Sequence, residues 1–387
     1  MKNRGSAIWS ASILMATSAI GPGFLTQTTV FTRNLLYDFG FIVFISVVID
    51  VLAQTSIWRA IGISGRNIQT LGNSLVSVLG SVISILVIIG GMVFNIGNIA
   101  GTGLGLETIF GLKPLIGAIL SVITVLIVFF IEDSQKVLDV FVKILAIVML
   151  FFMILLAFKA NLDFKMVVGG TFWPEKFDIK STLTLVGGTV GGYISFAGAQ
   201  KLLDGGITGT KNLGRISKSA SAGILTTGIM RYLLFIGTLG VVLGGGVLNP
   251  ENPTASVFFI SFGEFGKIFF GIVLWSAAIT SVLGATYTSF SFFKNLHPRF
   301  YESKKIFIFI FLAISTCIYL IIGKPVNLLL FAGYINSFIL PLGLIISLLS
   351  FQNKKIFKDY TPSNWLIFPS WILVFLLIGF SFYSLKI

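Results

Sequence analysis

The sequence predicts an all-α polytopic membrane protein of about eleven transmembrane helices, ten of them arranged as two sets of five. Three observations carry that expectation. Of 387 residues, 55% are hydrophobic and only 11% charged, whereas a soluble domain carries about 25% charge. Apolar runs of roughly twenty residues, the length that crosses a bilayer, recur along the whole chain, and no polar stretch is long enough for a separate soluble domain. Finally, the first and sixth of these runs are interrupted at their centres, and each stands at the head of a five-span set.

In order, the spans read as residues 7–32, 41–58, 75–110, 115–131, 137–158, 181–203, 221–244, 254–281, 306–322, 328–349 and 365–383. Residues 59–72 are polar and read as a connection, and residues 159–180 as the longest connection on the opposite side. The third run exceeds what a bilayer needs, so it tilts or extends beyond it. The whole chain, 1–387, reads as one transmembrane domain: residues 7–158 form one five-helix repeat, 181–350 a second, and 365–383 an added eleventh helix. An odd number of spans per set places the halves in opposite orientations, an inverted repeat.

The first interruption lies in Ser18-Ala-Ile-Gly-Pro-Gly-Phe-Leu-Thr-Gln-Thr-Thr29. Pro22 lacks an N–H, and its ring clashes with the carbonyl four residues back, at Ser18. Gly21 and Gly23 weaken the helix further. The second is Gly187-Gly-Thr-Val-Gly-Gly-Tyr193, where each glycine costs a helix about 1 kcal/mol against alanine. Unpaired backbone in hydrocarbon is tolerated only against protein or a wet cavity. Two half-helix junctions roughly 170 residues apart fit the mid-membrane site of a secondary transporter; packing kinks are the plainer reading of either one alone.

The net charge of +13 is distributed as a membrane protein distributes it. Roughly sixteen Lys and Arg fall on the amino-terminal side and about nine on the other. The clusters Lys201/Lys211/Arg215/Lys218, Lys294/Arg299/Lys304/Lys305 and Lys354/Lys355/Lys358 all lie on the richer side. This asymmetry puts the amino terminus in the cytoplasm and the carboxyl terminus outside, in a cell membrane, with anionic lipid rather than nucleic acid as the partner. Cys317 is the only cysteine and His297 the only histidine, so no disulfide framework or thiolate cluster is expected; His297 reads as a solvated loop residue. The basic start Met1-Lys-Asn-Arg4 mimics a signal peptide, but the following run is too long and is broken by Pro22, so it reads as a retained span.

With both interruptions in view, the sequence resembles the NRAMP family of divalent-metal transporters, as a divergent subgroup within the amino acid–polyamine–organocation superfamily. Ile20-Gly-Pro-Gly-Phe-Leu-Thr26 lines up with the family's Asp-Pro-Gly-Asn turn. Asn95-Ile-Gly-Asn-Ile-Ala-Gly101 through Phe110-Gly111 resembles its third span, Gly188-Thr-Val-Gly-Gly-Tyr193 its Met-Pro-His region, and Ser337 to Leu342 its tenth span. The resemblance implies a leucine-transporter-like fold, with five plus five inverted helices and broken first and sixth helices. It does not carry over the metal site. Gly21 and Phe24 stand where the family has Asp and Asn, Gly191 and Tyr193 where it has Met and His, Asn95 and Asn98 where it has the acids associated with proton passage, and Gly198 where it has a second sixth-span His.

The chemistry left at the breaks is neutral. Transition metals need imidazole, thiolate, thioether or carboxylate ligands, and neither break holds Asp, Glu, His, Cys or Met; Met15 and Met92 read as packing. No resident metal site or cofactor is expected. The free N–H groups of Gly23, Phe24 and Leu25 at the start of a half-helix suit an anion. The residues Gly21, Pro22, Gly23, Phe24, Thr26, Gln27, Gly188, Thr189, Gly191, Gly192, Tyr193 and Ser195 are the expected substrate-binding set. Thr28 and Thr29 are further hydrogen-bonding groups, Phe196 is a further apolar cover, and the glycines leave volume for an organic solute or allow close helix packing. Along the path, Asn95 and Asn98 share one helical face and either line it or bond between helices. Asp50 and Arg231 are charged inside spans, which marks pathways or partners: Asp50 reads as a coupling site for H⁺ or Na⁺ or as a gate or cytoplasmic-edge charge, and Arg231 as attracting an anion or pairing with an acid. Glu107 reads as interfacial and Lys143 as snorkelling.

These residues support a secondary active transporter of a small carboxylate-bearing solute (an amino acid, a lactam acid or a short organic acid) coupled to H⁺ or Na⁺. A divalent-cation carrier of Mn²⁺ or Mg²⁺ with a hydrated, carbonyl-lined site is the alternative within transport. A non-transporting sensor or channel is the alternative outside it. No soluble catalytic motif is visible, so no enzyme is expected, and oligomeric state is left open.

Overall fold

Proline and glycine set several helix ends in the computed structural model, which describes residues 20–130, 134–296, 303–358 and 360–386. Helix α1 (Pro22–Leu35) opens on proline at its first position, where the missing N–H costs nothing. Helix α2 (Phe39–Ser64) closes on Gly65 in the left-handed region, and α4 (Leu79–Phe110) on Gly111 in the same way, an arrangement that glycine adopts without Cβ strain. Between them, α3 (Ile68–Leu75) is capped by Asn67, which accepts from Thr70 N at 2.8 Å. Then come α5 (Pro114–Phe130), α6 (Ser134–Lys159) and the short α7 (Phe164–Phe172), bent 115° from the end of α6.

The second half begins with α8 (Ile179–Thr189) and α9 (Tyr193–Asp204), followed by α10 (Leu213–Leu243) and α11 (Pro253–Leu296). Helix α12 (Lys304–Ile322) precedes α13 (Pro325–Ser337), α14 (Leu340–Ser350), the single turn α15 (Lys354–Phe357) and α16 (Asn364–Ser384). No strand occurs among the described residues. Large apolar side chains such as Ile123, Phe309, Ile321 and Phe375 are exposed around the outside, as a lipid-facing surface requires.

Within the described residues the expected spans return as helices, with three differences. Residues 59–72 are not a polar connection: α2 continues to Ser64 with Ala60, Ile61 and Ile63 buried, and α3 buries Ile68 and Leu71. Scattered Arg, Ser and Asn there masked an apolar face. The long connection 159–180 holds α7, tied down where Asp38 accepts from Glu175 N and Lys176 N at 3.0 and 3.1 Å. The tenth span is itself broken between Ser337 and Leu340, with Pro341 in the first turn of α14; its ring excludes the carbonyl of Ser337 from a continuous helix. Seven described helical stretches are long and apolar enough to cross a membrane, eight if the bent α6–α7 pair is one span. That number is below eleven because α1 and α2 run on as Pro22–Ser64, while α5, α8 and α9 are each short.

Helices α4 and α11 form the central pair, and small residues bring them together. A Cβ at Gly105 would sit 2.7 Å from the Trp275 Cβ, and one at Gly271 would sit 2.9 Å from the Thr108 Cβ; in hydrocarbon such close packing supplies the association energy. Gly101 on the same helix leaves room for Pro22 of α1. The first break is thereby seated against the α4–α11 pair.

Candidate functional site between the helix breaks

The first break is an extended link. Gly21 has φ −98° and ψ −178°, and the helix starts at Pro22. Leu25 N reaches the Gly21 carbonyl at 3.4 Å, so of the three N–H groups expected to be free, those of Gly23 and Phe24 remain at the helix opening. Residue 18 and the upstream part of the first span, Met15 included, lie outside the described residues. A Cβ at Gly21 would lie 3.2 Å from Ser281 Oγ and 4.0 Å from Asn98 Oδ1, which places α4 and α11 side chains beside this link.

The second break is a tight turn. Helix α8 ends at Thr189, Gly192 sits at φ 54° and ψ −124°, and α9 begins at Tyr193. Gly192 N donates to the Asn336 carbonyl at 3.1 Å, and Ser195 Oγ donates to the Val190 carbonyl at 2.7 Å. The volume expected from the glycines is occupied. Gly187 lies against the backbone of Gly333 and Ser337, and a Cβ on Gly188 would meet Gln27 Oε1 at 2.6 Å. One on Gly191 would meet the Asn336 carbonyl at 2.7 Å, and Gly192 faces the Asn336 amide. Gly187, Gly191 and Gly192 serve close packing of the sixth span on the tenth, and Gly188 its packing on Gln27 of α1.

Gln27 bridges the two breaks. It is fully buried, its Nε2 donates to the Leu329 carbonyl at 3.2 Å, and its Oε1 has no partner. Other polar groups of α1 are committed elsewhere: Thr28 Oγ1 donates to the Phe24 carbonyl at 2.7 Å, and Thr29 Oγ1 accepts from Thr254 Oγ1 at 3.0 Å. Thr26 is buried. Phe196 packs in the core, tilted against Phe292 at 6.2 Å, rather than over the break.

Two polar walls flank the breaks. On one side, Asp50 from α2 and Arg231 from α10 are nearly fully buried and share one electrostatic environment. The Arg231 guanidinium stacks on Phe24 at 4.5 Å from the ring centroid, and Asp50 lies within hydrogen-bonding reach of Thr189. Each charge therefore touches one break. Arg231 Nε and Nη2 and Asp50 Oδ1 have no hydrogen-bond partner. On the other side, the Tyr193 hydroxyl is within reach of Asn98, and its ring packs edge-on against Phe94 at 5.3 Å. Asn98 Nδ2 and both amide atoms of the fully buried Asn95 lack partners. A buried polar group without a partner costs about 1–3 kcal/mol, so each of these atoms carries an unmet hydrogen-bonding capacity.

Asn336 is the site residue that sequence reading missed. Its Nδ2 donates to the Gly90 carbonyl at 3.1 Å and to the Ala332 carbonyl at 2.9 Å. Through its own carbonyl it also holds the sixth-span turn. The signal was an amide in an apolar run five residues before Pro341. Glu107 is half-buried near Asn252 at the end of α4. Among the described residues, no three His, Cys, Asp or Glu side chains converge; His297 lies outside them, as does the Lys143 side chain.

The arrangement matches known proteins over its whole length. The chain is 43% identical over 380 residues to an uncharacterized membrane protein, YcsG, of Bacillus subtilis, covering 98% of this chain and 94% of that one. The fold is similar to that of the Eremococcus coleocola manganese transporter crystallised with an aromatic bis-isothiourea substituted compound, with a TM-score of 0.76 and 14% identity over 99% and 88% of the two chains. It is similar also to MhsT in complex with L-phenylalanine, with a TM-score of 0.62 and 18% identity over 98% and 99%. The leucine-transporter-like fold follows from these likenesses. Matched from residue 12 to residue 386 by the family described as natural resistance-associated macrophage protein-like, the chain belongs to the Nramp family of membrane transporters.

Proposed function

We propose that the chain is a secondary active transporter of a small carboxylate-bearing solute, moved by alternating access and driven by an H⁺ or Na⁺ gradient. The observation that supports this most directly is Arg231. A guanidinium buried in the membrane, stacked on Phe24 and left with unpartnered Nε and Nη2 donors, is suited to a planar carboxylate. The adjacent opening of α1 adds two backbone N–H groups with positive character. Charged residues inside membrane helices are costly and serve pathways or ligands. In orientation, the basic asymmetry supports a cytoplasmic amino terminus and an outer carboxyl terminus.

The fold also serves a manganese transporter and a protein holding L-phenylalanine, so both cargo classes must be weighed. Neither break carries a carboxylate, imidazole, thiolate or thioether, the ligands that a transition metal requires. The donors of Arg231 repel a cation. The amino-acid-like cargo fits this donor set better.

The test is uptake into proteoliposomes of labelled pyruvate, L-lactate, L-alanine and L-glutamate, beside Mn²⁺, under H⁺ and Na⁺ gradients. At least one carboxylate is expected to accumulate, and Arg231→Gln is expected to reduce that uptake by about a hundredfold, with Arg231→Lys between. Saturable Mn²⁺ uptake indifferent to all four carboxylates overturns the proposal.

A further inference from the structure

Resting on the carboxylate reading of Arg231, we infer that Asp50 is the proton-carrying group, and that the solute carboxylate and ionised Asp50 are alternative counter-charges of Arg231. One proton therefore travels with each net negative charge that the solute brings.

The argument starts from charge balance. Asp50 and Arg231 are 1% and 2% exposed, in the middle of α2 and α10. The charge acting on Asp50 is that of Arg231, and the charge acting on Arg231 is that of Asp50. The group facing them from α1 is the Phe24 ring, and the one from α8 is the Thr189 hydroxyl. Of the other ionisable groups on the packed helices, Arg33, Arg59, Lys180, Lys201, Asp204, Arg215 and Lys218 lie toward helix ends, Tyr193 faces Asn98, and Tyr232 bonds Thr171 at 2.7 Å. Lys159 lies at the end of α6, which also packs on α10, and among the described side chains the couple is therefore neutral by itself. A carboxylate arriving at Arg231 would leave one uncompensated negative charge in low dielectric, a cost that protonation of Asp50 removes.

Local geometry supports both states of Asp50. Thr189 Oγ1 donates to the Leu185 carbonyl at 2.9 Å, so its oxygen is free to accept a proton-bearing Asp50. By rotation, the same hydroxyl donates to an ionised Asp50 instead. Arg231 Nε and Nη2 and Asp50 Oδ1 are all unpartnered, so both groups keep capacity for a further partner. Sodium fits poorly in this place. A hard cation collects several oxygen ligands, and here it would find one carboxylate and one hydroxyl beside a fixed guanidinium. In the cycle, a proton enters from the side to which the site is open and forms the O–H bond on Asp50, the carboxylate takes the Arg231 donors, and both leave on the other side.

Two measurements on the full-length protein test this. In nanodiscs, infrared difference spectra between acid and alkaline buffer should show a protonated-carboxyl C=O band that Asp50→Asn lacks. By linkage, adding whichever net-anionic member of the panel (pyruvate, L-lactate or L-glutamate) the wild type carries should hold that band to higher pH by about tenfold in proton concentration, with no such effect in Arg231→Gln and none from L-alanine, a zwitterion without net charge. In proteoliposomes, Asp50→Asn should lose pH-driven accumulation by about tenfold or more while still exchanging internal for external probe, and Asp50→Glu should restore accumulation. A band unchanged in Asp50→Asn overturns the inference, as does pH-driven accumulation retained by that variant, or a titrating band that no net-anionic member of the panel shifts. Carriage of none of the four by the wild type counts instead against the carboxylate reading, with the band alone then deciding whether Asp50 holds a proton.

Discussion

The two breaks in this membrane protein look alike in sequence and are built to opposite ends. At the first, Gly21 is extended and a Cβ there would lie 3.2 Å from the Ser281 hydroxyl and 4.0 Å from the Asn98 amide oxygen. At the second, Gly191 and Gly192 are enclosed by Gly187, Asn336 and their backbones, and Gly192 holds a left-handed φ of 54°. The first break leaves donors over; the second has used its own to join the sixth span to the tenth. Glycine content alone therefore does not distinguish a ligand cradle from a joint. What distinguishes them is how closely the vacated Cβ position is enclosed: 3.2 Å from the Ser281 hydroxyl at Gly21, against less than 3 Å from Gly187, the Asn336 carbonyl and the Asn336 side chain at Gly191 and Gly192.

The largest expected effect comes from making the same substitution in both breaks. Gly192→Val forces a branched residue to positive φ and drives its Cβ into the Asn336 amide. Strain and overpacking together should cost about 3 kcal/mol or more, seen as loss of a monodisperse peak and a collapse in melting temperature in detergent. Gly21→Val has an allowed backbone and a 3.2 Å contact with a serine hydroxyl, so it should fold and instead reduce uptake. Equal folding losses at the two positions would erase the contrast.

Next in size is Asn336→Ala, aimed at the joint alone. It removes two side-chain bonds, to Gly90 and Ala332, from a fully buried site, at a cost of about 1–3 kcal/mol once the stranded carbonyls are counted. Because Asn336 touches neither Arg231 nor Phe24, probe affinity should hold while transport slows. A loss of affinity equal to that of Arg231→Gln would move Asn336 from the joint into the cradle.

Much of this was legible in the chain, and the omissions have physical causes. Pro22 between two glycines and the Gly187–Tyr193 run announce both breaks, because their backbone effects are local. The resemblance of residues 20–26, 95–111 and 188–193 to a family supplied the fold that composition could not. Pairing was not legible: Asp50 and Arg231 are 181 positions apart, and only the packing of α2 on α10 makes them one unit. The tenth-span break had a visible signal in Pro341, but proline is common in membrane helices and is usually absorbed as a kink. The glycine volume was misread, because a vacated Cβ position says nothing about what moves in to fill it.

The smallest effect sharpens the contrast on the opposite wall. Asn95 is fully buried with neither amide atom partnered, one turn from Asn98, which faces the first break. An orphaned amide that only packs is a net cost, so Asn95→Leu, of similar volume, should raise stability by about 1 kcal/mol. If those amide atoms face water along the route into the first break, the same substitution also dries the path, and uptake should fall several-fold while Arg231-dependent binding persists. The expected result is both together: a melting temperature raised by a few degrees and a slower transporter. A more stable protein with undiminished uptake would make Asn95 a packing residue and leave the path to Asn98 and Tyr193. A less stable one would mean that its amide holds ordered water that leucine cannot replace.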